Sequence, residues 1–426
     1  MNITEPLRIL FLADGVLADI SGGSQVVAWE LARRLIGRGH SVTFLAGGHK
    51  GRPAGNEVCD GVEIVRYNGA RKAIKYYNEG AQACRNLLAT RQFDLCHNHF
   101  AYAGLGPRSA MSKTLPWIRT FHGPWHEEAR VETQAHLAYM AYLKEKDRAP
   151  FLSRVKALIK FRLQREIERH DLRHSQEVLV LSEYMRAKVH ALGFGSNTHC
   201  VPGGADGERF PPAESRLPAR QELGLPASAK ILLSVRRFTP RMGLDNLVVA
   251  MTDVAARFPD VLLLLGGTGY GKPQLESLIR ERNLERHVRL EGFIPDEKLS
   301  LYYQAADAFV LPSVKLEGFG LVTVEALSSG TPVIGTPTGA TPEILSHLEP
   351  RLLTNGVAPG DLSHSICRFF DETWKADLTP ARLHEFAQTH YNWDRHTDAV
   401  LDVYEGALRE KQSMTSMAEP ALRTVF

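Results

Sequence analysis

The segment 311–345, LPSVKLEGFGLVTVEALSSGTPVIGTPTGATPEIL, sets two acids, Glu317 and Glu325, eight residues apart around a Gly318-Phe319-Gly320 turn. The apolar run Ala308–Leu311 ahead of it predicts a strand, which Pro312 and Ser313 end. Glycines there let backbone approach a ligand closely, because glycine meets no steric penalty at positive φ. A helix predicted from Val322 to Leu327 follows at once, and its free N–H groups and positive dipole end suit an anion. Two acids for hydroxyls beside an anion-binding helix start match the chemistry of a nucleotide sugar.

The same strand-to-helix alternation extends outward in both directions. Strands are predicted at Leu7–Ala13, Ser41–Ala46, Val62–Tyr67, Asp94–His97, Trp117–His122, Val178–Ser182 and His199–Pro202. A second set falls at Lys230–Val235, Val261–Gly266, Val288–Leu290, Ala308–Leu311 and Pro332–Thr336. Helical patterns lie between most of them, which predicts parallel sheets with helices on both faces. The Gly-, Pro- and charge-rich stretch Gly203–Arg216 reads as the point where the pattern restarts. The expectation is an α/β protein of two doubly wound domains with a cleft between them and ligands at the carboxyl ends of strands. Its boundaries are 1–204 for the first domain, with a helical insertion at 127–175, and 205–216 for the linker. The second domain follows at 217–390, then a helix at 391–412 returning to the first domain and a flexible tail at 413–426.

At 426 residues the chain exceeds a single core, so two or three domains are expected. A net charge of +3 is too small to argue for nucleic acid. Five scattered cysteines without a C-x-x-C pair predict free thiols in a reducing compartment. The start, MNITEPLRILFLADG, reads as a first strand rather than a signal peptide. No stretch approaches the roughly 20 apolar residues of a membrane span. These readings together predict a cytoplasmic protein.

Several smaller motifs have competing readings. Gly22 and Gly23 stand before a predicted helix, with Ser21 or Ser24 as its cap, where a phosphate or sugar would approach. Ordinary strand-to-helix turns use glycines in the same way. Gly266, Gly271 and Lys272 have P-loop spacing, but Pro273 occupies the place of the magnesium-binding hydroxyl, so a plain glycine turn is expected. His97, His99, His122, His126, His170 and His174 suggest metal only superficially, since neither an H-E-x-x-H pattern nor a full ligand set is present. No metal and no cofactor are expected. His122, at the end of a strand, is expected to meet a sugar hydroxyl or the leaving group. Arg236, Arg237 and Arg241 cluster at another strand's carboxyl end, which suits a diphosphate. Glu317 and Glu325 also fit a glycosidase acid pair, but Glu325 at an apolar helix start better suits ribose hydroxyls.

Taken together, EGFGLVTVEALSSGTPVIGT, GATPEIL, LEGFIPDEKLSLYYQAADAFVLPS and the first loop ADG…SGGSQ resemble the retaining GT-B glycosyltransferases of family 4. The likeness spans roughly residues 7–410, and its carboxyl-terminal part is the more specific. It implies a GT-B fold, with two Rossmann-like doubly wound domains facing a central cleft. It implies Glu325 on the ribose and Glu317 near the sugar's 3- and 4-hydroxyls, with backbone N–H groups of Phe319, Gly320, Leu321 and Val322 on sugar and phosphate. It further implies His122 facing the sugar, Gly22 and Gly23 against the phosphates, and Arg237 as a phosphate-binding arginine. The family's metal-independent, front-face transfer with retention would then apply, from a nucleotide sugar to a saccharide, lipid-linked or small-molecule acceptor.

One departure stands out. The family commonly carries a lysine five residues after that arginine, and here the position is Met242. The neighbouring Arg241 is expected to substitute for it. Two other readings stay open, a nucleotide-sugar 2-epimerase of the same fold and a non-catalytic nucleotide-sugar-binding protein. The basic helical stretch within Glu127–Ser175 reads either as a solvated face or as a peripheral contact with an anionic membrane.

Overall fold

A computed structural model describes residues 5–17, 22–48, 52–69, 73–142 and 151–422. Ser21, part of the expected insertion (143–150) and the end of the expected tail (423–426) lie outside these residues. The chain divides into two compact units. The first comprises Met1–His126, Leu158–Pro202 and Trp393–Phe426, and the second Glu127–Ala157 and Gly203–Asn392.

The first unit is built on β1 (Arg8–Ala13), β2 (Ser41–Gly47), β3 (Gly55–Cys59), β4 (Val62–Tyr67), β5 (Leu95–Asn98), β6 (Trp117–Phe121), β7 (Glu177–Val180) and β8 (Thr198–Cys200). Their order across the sheet is β3-β4-β2-β1-β5-β6-β7-β8. All neighbours pair in parallel except β3 with β4. Parallel strands covered on both faces read as continuous apolar runs, and β1 shows this, with every residue after Arg8 buried. The strand order reverses between β1 and β5, the place where an open α/β sheet leaves a crevice at the strands' carboxyl ends.

Sequence patterning did not reveal β3. It is an exposed edge strand with only Val58 and Cys59 as apolar residues, folded back on β4 through Asp60 (φ 50°) and Gly61 (φ 77°). The Asp-Gly pair is a strong short-range hairpin signal that was available in the sequence.

The helix Trp393–Leu422 supplies Val400, Val403, Tyr404 and Ala407 to the core around β1 and β2. Burying a side chain the size of Val400 or Val403 contributes roughly 1.5–3 kcal/mol. The helix extends past residue 412, where the sequence reading ended it. The basic helix Phe151–Arg173 is fixed to the sheet by a buried ion pair, Arg119 Nε to Asp171 Oδ2 at 2.7 Å. Asn98 also donates to Asp171, at 2.9 Å.

The second unit contains β9 (Lys230–Val235), β10 (Val261–Gly266), β11 (Val288–Gly292), β12 (Ala308–Leu311) and β13 (Val333–Gly335). They form an all-parallel sheet in the order β11-β10-β9-β12-β13. Here the order reverses between β9 and β12. The stretch expected as a linker is packed into this unit. Phe210 is buried, its carbonyl accepts from Ser328 Oγ at 2.9 Å, and Ala205 N donates to Tyr391 O at 2.9 Å.

Candidate active site

In the second unit the chain leaves β9 through Arg236-Arg237 and leaves β12 through Pro312-Ser313, so both exits lie at the reversal of strand order. Arg236 and Glu317 form an ion pair there, each side chain 8% exposed. Ser313 Oγ donates to the same Glu317 Oε2 at 2.5 Å, and Arg236 Nη2 lies 3.2 Å from Ser313 Oγ. The same Nη2 approaches Met242 Sδ at 2.9 Å. Arg236 Nε is sealed from solvent without a hydrogen-bond partner.

The backbone around this group is tightly determined. Leu316, immediately before Glu317, sits at φ 57°, which costs of order 1–3 kcal/mol for a residue of its kind. Gly339 N-terminal to Ala340 clasps the other side, and Ala340 N donates to Glu317 O at 2.9 Å. The glycines of the false P-loop perform a related task. Cβ atoms at Gly267 and Gly269 would stand 1.9 Å from Arg236 O and 2.3 Å from Phe238 O, so this loop lies flat against the arginine segment. Arg236 N donates to Gly266 O and Phe238 N to Thr268 O, at 2.9 and 2.8 Å.

The predicted helix runs Leu321–Ser328 with Gly320 as its N-cap and no side-chain cap. Phe319, Gly320, Leu321 and Val322 therefore form its start, beside the Glu317 carboxylate. A Cβ at Gly320 would lie 3.5 Å from Glu317 Oε1. Glu325 lies one turn into the helix and accepts from Tyr303 Oη at 3.0 Å. Burial first, and then Glu325 itself, push the Tyr303 phenol well above its ordinary pKa, so it remains a donor.

The three arginines have different surroundings. Arg237 is 56% exposed and lies 3.9 Å from Glu132 Oε1. Arg241 lies 3.7 Å from Glu128 and 3.6 Å from Glu132, and its Nη1 is 3.4 Å from Leu316 O. The guanidinium against Met242 is that of Arg236. Sequence reasoning grouped Arg236 with the other two without singling it out, and it gave no role to Tyr303 or Ser313.

In the first unit, Gly22 is the N-cap of the helix Gly23–Gly37, extended and without a side-chain cap, so Ser24 does not cap it. Ser24 Oγ instead donates to Gln25 Oε1 at 3.0 Å, and Gln25 Nε2 donates to Asp14 Oδ1 at 3.2 Å. These bonds tie the helix start to the end of β1 and leave its first N–H groups outside the helical ladder.

His99 and His122 follow the ends of β5 and β6, with His99 Nδ1 and His122 Nε2 3.4 Å apart. His99 Nε2 and His122 Nδ1 are sealed from solvent and lack a hydrogen-bond partner. Burial, with Arg119 and His396 adding to it, pushes His122 down to about 3. Burial also holds His99 well below the ordinary value. Both rings are therefore neutral near pH 7, and a neutral imidazole offers one donor and one acceptor, which suits a hydroxyl. His97 is committed elsewhere, with its nitrogens 2.6 Å from Tyr404 Oη and 2.7 Å from Thr120 Oγ1.

Among the described residues no group of three or more His, Cys, Asp or Glu is arranged to hold a metal ion. The His170/His174 pair is joined through the backbone, with His174 Nδ1 donating to His170 O at 2.7 Å. No described helix is long and apolar enough to cross a membrane.

Comparison with known proteins follows the same division of the chain. Residues 21–209 match the family described as Glycosyltransferase Family 4, and residues 215–389 that described as Glycosyl transferases group 1. The D-inositol 3-phosphate glycosyltransferase of Corynebacterium jeikeium is 30% identical over 413 residues, covering 90% of this chain and 92% of that protein. Among solved structures, the sucrose-phosphate synthase from Thermosynechococcus elongatus has a TM-score of 0.76 at 23% identity, covering 95% of this chain and all (100%) of that one. The Anabaena protein HepE, solved with UDP-glucose, has a TM-score of 0.69 at 17% identity, with coverages of 94% and 100%.

Proposed function

This chain belongs to the group 1, family 4 glycosyltransferases, and from that premise we propose that it moves a hexose-type sugar from a nucleotide sugar to a hydroxyl acceptor with retention of configuration. It is a glycosyltransferase with a GT-B fold. The observation that carries the finer reading is the grouping at the β9/β12 reversal. Glu317, the start of the helix Leu321–Ser328, Glu325 and a buried arginine meet there. Glu325 is assigned to ribose hydroxyls, Glu317 to hydroxyls of the transferred sugar, and the helix start with the arginines to the diphosphate. UDP is favoured over GDP and ADP as the nucleotide. HepE, a protein of like fold, was solved with UDP-glucose.

In the proposed reaction the acceptor oxygen bonds to the anomeric carbon while the bond from that carbon to the β-phosphate oxygen breaks on the same face. The bonding pair leaves with the phosphate oxygen, which takes the acceptor's proton. Fixed donors aimed at a departing phosphate stabilise the charge that develops, so the reaction is assigned without a metal ion. The neutral His122 is assigned to a sugar hydroxyl, and Gly22 and Gly23 to the phosphates.

The acceptor is assigned to a saccharide, a lipid-linked saccharide or a small polyol. D-inositol 3-phosphate, named for the corynebacterial relative, heads the acceptor panel. A peripheral contact with anionic membrane at the cytoplasmic face is part of the proposal. It is supported by Leu158, Ile159 and Leu163, each about 60% exposed on a helix that also carries Lys160, Arg162 and Arg165.

The test is a thermal-shift panel of UDP-, GDP- and ADP-sugars, followed by acceptor screening with the best donor in the presence of EDTA. Transfer with retained anomeric configuration is expected. An epimeric sugar released without acceptor would instead make the chain a 2-epimerase. Donor binding with no nucleotide release alongside any acceptor would make it a binding protein.

A further inference from the structure

The chain has no cation at position 242, yet the surroundings of Met242 are not neutral. Met242 is 8% exposed, and its sulfur lies 2.9 Å from Arg236 Nη2. An unbranched lysine at 242 would bring its ammonium into the volume that this guanidinium fills. Arg241, although adjacent in sequence, turns toward Glu128, Glu132 and Leu316 O, and Arg237 is more than half exposed.

Arg236 also has unspent capacity. A guanidinium carries five N–H donors in one plane, and the bonds to Ser313 and Glu317 engage Nη2 alone. Its Nε–H is buried with no acceptor. Nη1 makes no bond to the protein and is not sealed from solvent, and a phosphate oxygen is the acceptor that a planar guanidinium fits best. The ion pair with Glu317 does not cancel this role. It fixes the guanidinium beside the carboxylate whose other oxygen lies by Gly320, at the head of the helix Leu321–Ser328.

We propose that Arg236 is the donor-site cation of this chain, reaching the diphosphate from a neighbouring strand position in place of a side chain at 242. This rests on the glycosyltransfer reading above. During transfer its N–H groups meet the phosphate oxygen that receives the electron pair of the breaking glycosidic bond.

The experiment measures calorimetric affinity for the free nucleoside diphosphate, together with turnover, in the full chain. Arg236→Ala is expected to weaken diphosphate binding roughly tenfold or more and to cut turnover by about 10²-fold. Arg236→Ala with Met242→Lys is expected to regain at least a tenfold part of the turnover, because the ammonium then occupies the vacated volume. Arg236→Ala leaves Glu317 buried without its cation, so a second comparison removes both charges. Arg236→Ala/Glu317→Gln should bind the diphosphate roughly tenfold more weakly than Glu317→Gln alone. Equal affinities in that pair would overturn the proposal even if the single variant fails to fold. Failure of the unaltered chain to bind any nucleoside diphosphate overturns the glycosyltransfer reading and this inference with it. Binding that survives Arg236→Ala overturns the inference alone.

Discussion

Tyr303 donates its phenolic hydrogen to Glu325 Oε2 at 3.0 Å from a ring that is fully buried. This bond fixes the carboxylate assigned to the ribose. A hydrogen bond to a charged group is worth roughly 1.5–3 kcal/mol. Tyr303→Phe keeps the packing against Phe210 and Phe309 and removes only the hydroxyl. Nucleoside diphosphate affinity, measured by calorimetry, should fall by roughly tenfold or more while the fold is retained. Unchanged affinity would remove Tyr303 from the site.

Glu317 and Glu325 are expected to separate by ligand. Glu325→Gln should weaken binding of the free nucleoside diphosphate. Glu317→Gln should leave that binding nearly intact and lower turnover roughly 100-fold, since its assigned partner is the sugar. Equal losses of free nucleotide binding in both variants would contradict the division of roles.

Gly339 is held at φ 61°, and a Cβ there would lie 2.1 Å from Glu317 O. Gly339→Ala must therefore displace the backbone of Glu317. A loss of roughly 2–4 kcal/mol is expected in urea unfolding, with donor binding lost as well. Gly406→Ala is the control, because that glycine lies in a helix with nothing within 4 Å of its Cβ position. It should stabilise by up to about 1 kcal/mol.

These contrasts show which parts of the protein the sequence made legible. All twelve anticipated strands are present, because buried parallel strands such as Leu263–Leu265 announce themselves as unbroken apolar runs. β3 went unread because an exposed edge strand lacks that run. Glu317, Gly320 and Glu325 share one short segment, so their proximity in the fold was legible. Arg236, Arg237 and Arg241 were legible as a cluster, but not which of them meets Glu317, since successive side chains at a strand's end point to opposite sides. The pair with Glu317 falls to Arg236, while Arg237 lies toward Glu132. Parity gives no clue, because Ile231 and Leu233 on one side are as fully buried as Leu232 and Ser234 on the other. Tyr303 reaches Glu325 from a separate helix, and nothing in LSLYYQ marks it out.

Acid should weaken the first unit through its buried histidines. Burial, partly opposed by the hydrogen bond to Pro202 O and reinforced by Arg34, pushes His396 down from 6.5 to about 4. Above pH 6.5 the ring is neutral in both folded and unfolded chains, and stability is fully present. As pH falls from 6.5 toward about 4, the unfolded chain takes up a proton that the folded chain refuses. Stability then drops by up to about 1.4 kcal/mol per pH unit for each such ring. His396→Gln should reduce this slope by about one proton in urea titrations across the window. A slope unchanged from the parent chain would show that His396 titrates normally.

The membrane assignment depends on the exposed leucines. Vesicles rich in anionic lipid should carry the protein upward in flotation, less so as salt rises. Leu158→Ser with Leu163→Ser should lower partitioning at least roughly tenfold, given about 1.5–3 kcal/mol for each leucine buried in lipid. Absence of flotation at low salt would end this part of the proposal.

The return of the helix Trp393–Leu422 to the first unit has a consequence for biosynthesis. Val400, Val403 and Tyr404 complete a core that opens with Leu7, so that core stays unfinished while the intervening second unit is translated. At about 5–20 residues per second, the delay between Pro202 and Trp393 is roughly 10–40 s. During that interval the nascent sheet exposes apolar surface to chaperones. A gene fragment ending at residue 202 should yield an aggregating product, whereas splicing residues 393–422 directly after 202 should raise its soluble yield.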